Sequence, residues 1–159
     1  MAELPAETHK QITQMAEGGN AFAEQGDFSG ALARFQSAWE LLPEPRDDWD
    51  AALWLLTSIG DMQFQLRQYS AARDSLMRAV KSSDAAPGNP FLRLRLGQVM
   101  YEVGETQEAS SWLAGAYLME GVSLFDGEDP KYLSFVKPQL RPPPGGWPED
   151  RKTAWWRFW

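Results

Sequence analysis

Few side chains in this sequence could do covalent or metal chemistry. There is one histidine, His9, and there is no cysteine in 159 residues. The lack of cysteine removes disulfides, thiol nucleophiles and every Cys-based metal site. A Ser-His-Asp arrangement needs an imidazole held in place by a carboxylate, and His9 lies near the chain start, where side chains are ordinarily loose. A zinc site would have to be almost entirely carboxylate, which zinc rarely accepts. Gly18-Gly19 is not followed by the Gly-Lys-Ser/Thr of a phosphate loop. Asp126-Gly127-Glu128-Asp129 lacks the spaced carboxylates and closing glutamate of a calcium loop. Placed just before Pro130, it reads as a helix-capping loop. No catalytic residue, metal or cofactor is expected.

What remains is binding chemistry. Aromatic residues make up 13% of the chain, eight of them tryptophan, and such rings either fill a core or wait at a binding surface. Fifteen Lys and Arg against 22 Asp and Glu leave a net charge of −7. That charge repels nucleic acid and anionic lipid, and it suits a basic protein partner, whose encounter it would accelerate more than tighten. The acidic run Glu40, Glu44, Asp47, Asp48 and Asp50 is either solvated surface or a docking rim. No apolar run approaches the roughly 20 residues of a membrane helix, and Met-Ala-Glu-Leu-Pro-Ala-Glu has no signal-peptide core. A cytoplasmic protein is expected.

The elements that would position these residues come from an internal repeat. Three segments share one frame: Gly19, Ala31, Phe35 and Ala38; Gly60, Ala72, Leu76 and Ala79; Gly97, Ala109, Leu113 and Ala116. In each, the first alanine follows the glycine by 12 residues, the large residue follows that alanine by 4, and the second alanine follows by 7. Two antiparallel helices, A and B, explain the residue types. The glycine lets B close on A, the alanines admit neighbouring helices, and the Phe or Leu fills the gap. Turns are expected at Gln25-Gly26-Asp27, Leu66-Arg67-Gln68 and Val103-Gly104-Glu105, with breaks at Pro43, Pro45 and Pro87-Gly88-Asn89-Pro90. The pattern predicts helices at 7–25, 28–42, 47–66, 69–83, 90–103 and 106–120. A seventh at 129–140 would cap the open end, using Leu133, Phe135, Val136 and Leu140.

Gly19-x2-Phe22, Ala31-x3-Phe35 and Pro43 in the first unit resemble the signature of the tetratricopeptide repeat (TPR) family. The later units depart from it: Phe64 and Tyr101 lie one residue late and the closing proline is missing. Glycine separations of 41 and 37 exceed the roughly 34 of a regular repeat, so the loops between units carry insertions. The resemblance implies an all-α, right-handed TPR-type α-solenoid of three helix-turn-helix repeats, at 12–45, 53–86 and 90–123, within a domain spanning 1–140. A Pro/Gly linker and a Trp-rich tail, 141–159, would follow. The tail, ending in Trp155-Trp156-Arg157-Phe158-Trp159, is expected to fold back on the acidic body, or else to anchor a partner.

The resemblance further implies a partner-binding groove lined by the A helices. Its positions fall on Glu17, Asn20 and Glu24 in the first unit, and on Trp54, Asp61, Phe64 and Gln65 in the second. In the third they fall on Phe91, Arg95, Gln98, Tyr101 and Glu102. This is an aromatic floor edged with acids, the mix that anchors a partner and selects basic groups; the alternative is that Trp54, Phe64 and Tyr101 simply pack between helices. Where TPR co-chaperones grip a terminal carboxylate with two lysines, two asparagines and an arginine, this chain matches only Asn20 and Arg95. Ala16, Phe91 and Ser58 hold the other places, so no such clamp is expected.

Residues 89–97 (Asn-Pro-Phe-Leu-Arg-Leu-Arg-Leu-Gly) and 127–132 (Gly-Glu-Asp-Pro-Lys-Tyr) resemble small bacterial TPR proteins encoded beside Rhs-type secreted toxins. That likeness implies an immunity-type protein that neutralises a basic toxin domain, such as a nuclease, by stoichiometric binding. Repeat number, length and acidity also resemble class II chaperones of type III secretion. A general adaptor, and an enzyme with an unrecognised carboxylate site, are the remaining classes. None of these sets an oligomeric state.

Overall fold

The computed structural model describes residues 3–147. The expected Trp-rich end, beyond Trp147, lies outside them. The described residues are helical, with no strand: α1 (Ala6–Glu24), α2 (Phe28–Glu40), α3 (Asp50–Gln65), α4 (Tyr69–Ser82), α5 (Pro90–Glu102), α6 (Thr106–Glu120) and α7 (Pro130–Val136). Consecutive helices pair as the hairpins α1/α2, α3/α4 and α5/α6; α2 then packs on α3, α4 on α5, and α7 on α6. The core is a series of three clusters handed along this stack, the first around Ile12, Phe35 and Leu55, the second around Leu76, Leu92 and Leu96, the third around Leu113, Tyr117 and Val136. No single centre holds the chain, which is the defining property of a solenoid.

Each hairpin is fixed by one crossing. A Cβ added at Gly19 would lie 2.9 Å from the Phe35 ring. One at Gly60 or Gly97 would lie 2.5 Å from Cγ of Leu76 or Leu113, inside any real contact distance. The six repeat alanines, Ala31, Ala38, Ala72, Ala79, Ala109 and Ala116, are all 0% exposed. Helix-to-helix distance is thus set by what is absent from these side chains.

The hairpin turns share one backbone solution. Asp27 N–H donates to Phe22 O (2.9 Å), Gln68 N–H to Gln63 O (2.8 Å) and Glu105 N–H to Met100 O (2.8 Å), the long-range bond of a Schellman helix end. That ending needs a left-handed residue just before it. Gly26 (φ 78°) and Gly104 (φ 85°) supply it freely, whereas the second hairpin holds Arg67 at φ 61°, where a side chain costs energy.

Two boundaries differ from expectation. The helix expected from 47 begins at Asp50, after a 3-10 turn over Arg46–Asp48. The cause is Trp49: its backbone is extended and its indole N–H donates to Pro43 O at 2.8 Å, tying the segment that enters α3 back to the previous loop. The cap expected over 129–140 is helical only over Pro130–Val136 and continues as a 3-10 turn, Lys137–Gln139, since Pro138 has no N–H to extend the ladder. Of its four expected apolar residues Val136 is fully buried and Leu133, Phe135 and Leu140 are half-buried; Tyr132, not among them, is buried.

Three substitutions test this geometry in chemical denaturation. Gly97→Ala should cost on the order of 1–2 kcal/mol despite its better helix propensity, because Leu113 cannot withdraw. Gly88→Ala, with open space around it, should be close to neutral. Arg67→Gly should stabilise the protein by about 0.5–1 kcal/mol by relieving the left-handed arginine.

Candidate functional site

The twelve positions expected to face a partner divide sharply along the stack. On α1, Glu17, Asn20 and Glu24 are exposed. On α3, Trp54 stands 41% exposed and Gln65 is exposed, while Asp61 and Phe64 are half-buried. On α5, Phe91, Tyr101 and Glu102 are half-buried, and Arg95 (4%) and Gln98 (0%) are sealed from solvent. The α5 residues are packed away by the chain itself.

The seal is built by the loop before α7 and by α7. Glu128 Oε2 accepts from Arg95 Nη1 (3.1 Å) and from Gln98 Nε2 (2.9 Å), and Arg95 Nη1 also donates to Gln98 Oε1 (2.7 Å). On its other side Arg95 Nε is ion-paired with Asp61 Oδ1 at 2.9 Å, though without the alignment of a hydrogen bond. The guanidinium also lies over the rings of Phe64 (4.5 Å) and Phe91 (5.0 Å). One buried cation is therefore held by two carboxylates, an amide and two aromatic faces, an arrangement that suits the planar, weakly hydrated guanidinium. A second cluster follows. Glu102 Oε1 accepts from the Tyr132 hydroxyl (2.7 Å) and from Lys131 Nζ (2.6 Å), and the Tyr132 ring stands edge-on to Tyr101 at 5.4 Å.

These carboxylates are shifted in opposite directions. Burial pushes Asp61 above the ordinary aspartate value; Arg95 opposes this, and nearby Glu128 adds to it. Partial burial would likewise raise Glu102, but hydrogen bonds from Lys131 and Tyr132 and the Lys131 charge outweigh it and leave Glu102 lowered. Tyr132 is held strongly toward its neutral form by burial and by its bond to Glu102.

The α1–α3 end is open. The first turns of α1 and the start of α3 enclose a cleft of about 670 Å³, within the ~300–1,000 Å³ usual for ligand sites. Ile12 and Ala51 lie at its base and the indoles of Trp49 and Trp54 line it. The acidic run nearby is partly spent: Glu44 pairs with Arg46, and Asp47 takes a two-point contact from Arg78 at 2.6–3.0 Å. Among the described residues no His, Asp and Glu side chains converge to hold a metal ion, and no helix is long and apolar enough to cross a membrane.

Residues 126–129 are expected to form a capping loop. Asp129 does cap α7, accepting from Lys131 N–H at 3.0 Å. What was missed is Glu128, which reaches back 33 residues to Arg95, together with Lys131 and Tyr132. The available signal was Arg95 itself: an arginine between Leu94 and Leu96 on a buried helix requires a carboxylate from somewhere. Trp147, where the described chain ends, packs edge-on against Tyr117 at 5.1 Å.

No protein-family model matches the sequence, and no curated protein matches it. Solved structures do. The N-terminal domain of stress-induced protein-1 (STI-1) from C. elegans superposes with a TM-score of 0.58 at 17% identity, covering 85% of this chain and 98% of that one. The second TPR domain of human RPAP3, in complex with the HSP70 peptide SGPTIEEVD, gives 0.60 at 15% identity, covering 84% and 99%. MamA gives 0.57 at 15%, covering 79% and 74%. These likenesses establish the fold as that of a TPR-type solenoid.

The two shifted carboxylates give a paired prediction. Asp61 favours its neutral form in the folded protein, so its proton stabilises: that contribution is complete below pH 3.8 and lost as pH rises through the raised value. Asp61→Asn should lower the urea midpoint, because Arg95 then keeps only Glu128 as a charged partner, and the pH dependence that Asp61 contributes should vanish in the variant. Glu102 behaves inversely: its contribution is present above 4.5 and lost as pH falls through the lowered value. Glu102→Gln should lower the midpoint at pH 7, and the loss should shrink in acid.

Proposed function

We propose that this protein is a non-catalytic binding module, an immunity-type protein that holds and neutralises a basic domain of a secreted toxin in the cytoplasm. The observation that carries this reading is the asymmetry of the A-helix face. The α5 end has its polar groups satisfied by Glu128, Lys131 and Tyr132 from within the chain. The α1–α3 end leaves Glu17, Asn20, Glu24, Gln65 and Trp54 exposed to solvent. Among the described residues no cation pairs with Glu17 or Glu24. An exposed tryptophan and unneutralised carboxylates on the same pair of helices, in a chain of net charge −7, favour a basic protein surface. The immunity assignment within that class rests on the likeness of residues 89–97 and 127–132 to small TPR proteins encoded beside toxins.

The fold's best-known acidic-peptide mode fits poorly. The peptide bound to the human neighbour ends in Glu-Glu-Val-Asp. Here the only cation at the corresponding places, Arg95, already sits between two carboxylates, and Ala16 and Phe91 offer it no charge. A further carboxylate would enter against Asp61 and Glu128.

The test is capture from the native cell, followed by binding of the captured domain in purified form. The expected partner is a basic toxin domain bound one to one, its activity abolished by this protein. Glu17→Lys with Glu24→Lys should slow association by about tenfold at low ionic strength and much less at high salt. A partner that is acidic or neutral, or indifferent to the double reversal, contradicts the proposal. Capture of an apolar translocator segment would place the protein among secretion chaperones.

A further inference from the structure

Five cations among the described residues lie over aromatic rings. Arg34 covers Phe22, Arg78 covers Trp39, Arg93 covers Trp112, Arg95 covers Phe64 and Phe91, and Lys131 covers Tyr101 and Tyr132, at 4.5–5.7 Å from the ring centres. Trp39 and Trp112 are covered in this way, and Trp49 and Trp54 are not. Among the described residues no Lys or Arg stands over either ring, yet both line the open cleft between α1 and α3. Trp49 is not loose there, since its indole N–H is tied to Pro43 O at 2.8 Å, which presents the ring as a fixed wall. Trp54 is the most exposed tryptophan among the described residues.

The same cleft is lined by Glu3, Asp48 and Asp50, all exposed. None of the three has an ion-pair partner among the described residues, whereas their neighbours Glu44 and Asp47 do. No Lys or Arg contributes to the lining. Two indoles and three carboxylates thus line about 670 Å³ of space, together with His9 and without Lys or Arg. Arg95, between two rings and two carboxylates, shows the same chemistry satisfied from within the chain.

We infer that this cleft is a receptor site for an arginine side chain of the partner protein. The planar guanidinium stacks on the Trp54 and Trp49 rings while its N–H groups meet the Asp48, Asp50 and Glu3 carboxylates. Arginine is favoured over lysine because it is planar, forked and weakly hydrated, and because Arg95 between Phe64, Phe91, Asp61 and Glu128 is an intramolecular example of the same recognition. This inference deepens the reading of a basic partner by naming where on the α1–α3 end its anchoring residue goes.

The experiment uses the full chain and a short probe, the peptide Gly-Arg-Arg-Gly with blocked ends, against the same peptide with citrulline, which keeps the shape of arginine and removes its charge. Binding is followed by the indole N–H resonances, assigned to Trp49 and Trp54 through Trp→Phe variants. The arginine peptide should move both resonances in a salt-sensitive manner, and the citrulline peptide should bind about tenfold more weakly or not at all. Trp54→Ala, and separately Asp48→Asn with Asp50→Asn, should each weaken the arginine peptide by about tenfold. The two variants alter different chemistry, so a folding defect in one leaves the other informative. Equal binding of both peptides, or an unmoved Trp54 resonance, overturns the inference. Binding that is lost with Glu17→Lys and Glu24→Lys but kept in Trp54→Ala overturns it while leaving the basic-partner reading intact. Binding that emerges only after residues 148–159 are removed would mean that the chain's own tail fills the cleft, and would overturn the assignment to a partner.

Discussion

Three glycines, each pressed against a large side chain on the facing helix, set the spacing on which the rest of the structure depends. At Gly19, Gly60 and Gly97 the A helix approaches Phe35, Leu76 and Leu113 more closely than any side chain would permit. The wholly buried alanines 4 residues before and 3 after each large residue let the next hairpin settle at a similar distance. Because each crossing is local, the hairpins stack in series and the core passes from cluster to cluster. A stack made this way has two ends and a continuous face, and what the chain does at each end decides what the face can do.

At the α5–α7 end the chain closes on itself. Arg95 would be an untenable buried charge without Asp61 and Glu128, and Glu128 reaches it only because Pro130 and Asp129 start α7 where they do. Lys131 and Tyr132, on the first turn of the same helix, converge on Glu102. One short helix therefore shields the apolar end of the stack and satisfies the polar residues of α5. At the α1–α3 end Glu3, Glu17, Glu24, Asp48 and Asp50 have no ion-pair partner within the described residues, and no Lys or Arg lines the cleft of Trp49 and Trp54. The contrast between a satisfied end and an unsatisfied one is what points to a guest, and its sign points to a basic one.

The sequence was most legible where a steric rule acts at a fixed interval. Glycine, alanine and large-residue positions are dictated by helix contact, so three copies revealed six helices and all three turns, including Arg67 where the glycine is missing. Legibility fell where a contact depends on the path of a loop. Nothing in residues 126–129 announces that one carboxylate caps α7 and the adjacent one crosses to α5. Nor did the acids at 47 and 48, good helix starters, reveal that the Trp49 indole would hold the chain extended until Asp50. At the candidate site, composition conveyed an acidic, aromatic face. It did not convey that Arg95 and Gln98 would be sealed off, or that the open ground would lie between α1 and α3.

The central claim, that one end of the A-helix face is closed by the chain and the other is open to a basic partner, can be read directly from amide hydrogen exchange with and without the captured partner. The account predicts new protection in α1 and in residues 46–65, with α5 and residues 122–140 already protected and unchanged. Protection confined to α2, α4 and α6, or a partner that releases residues 122–140 from α5, would contradict it.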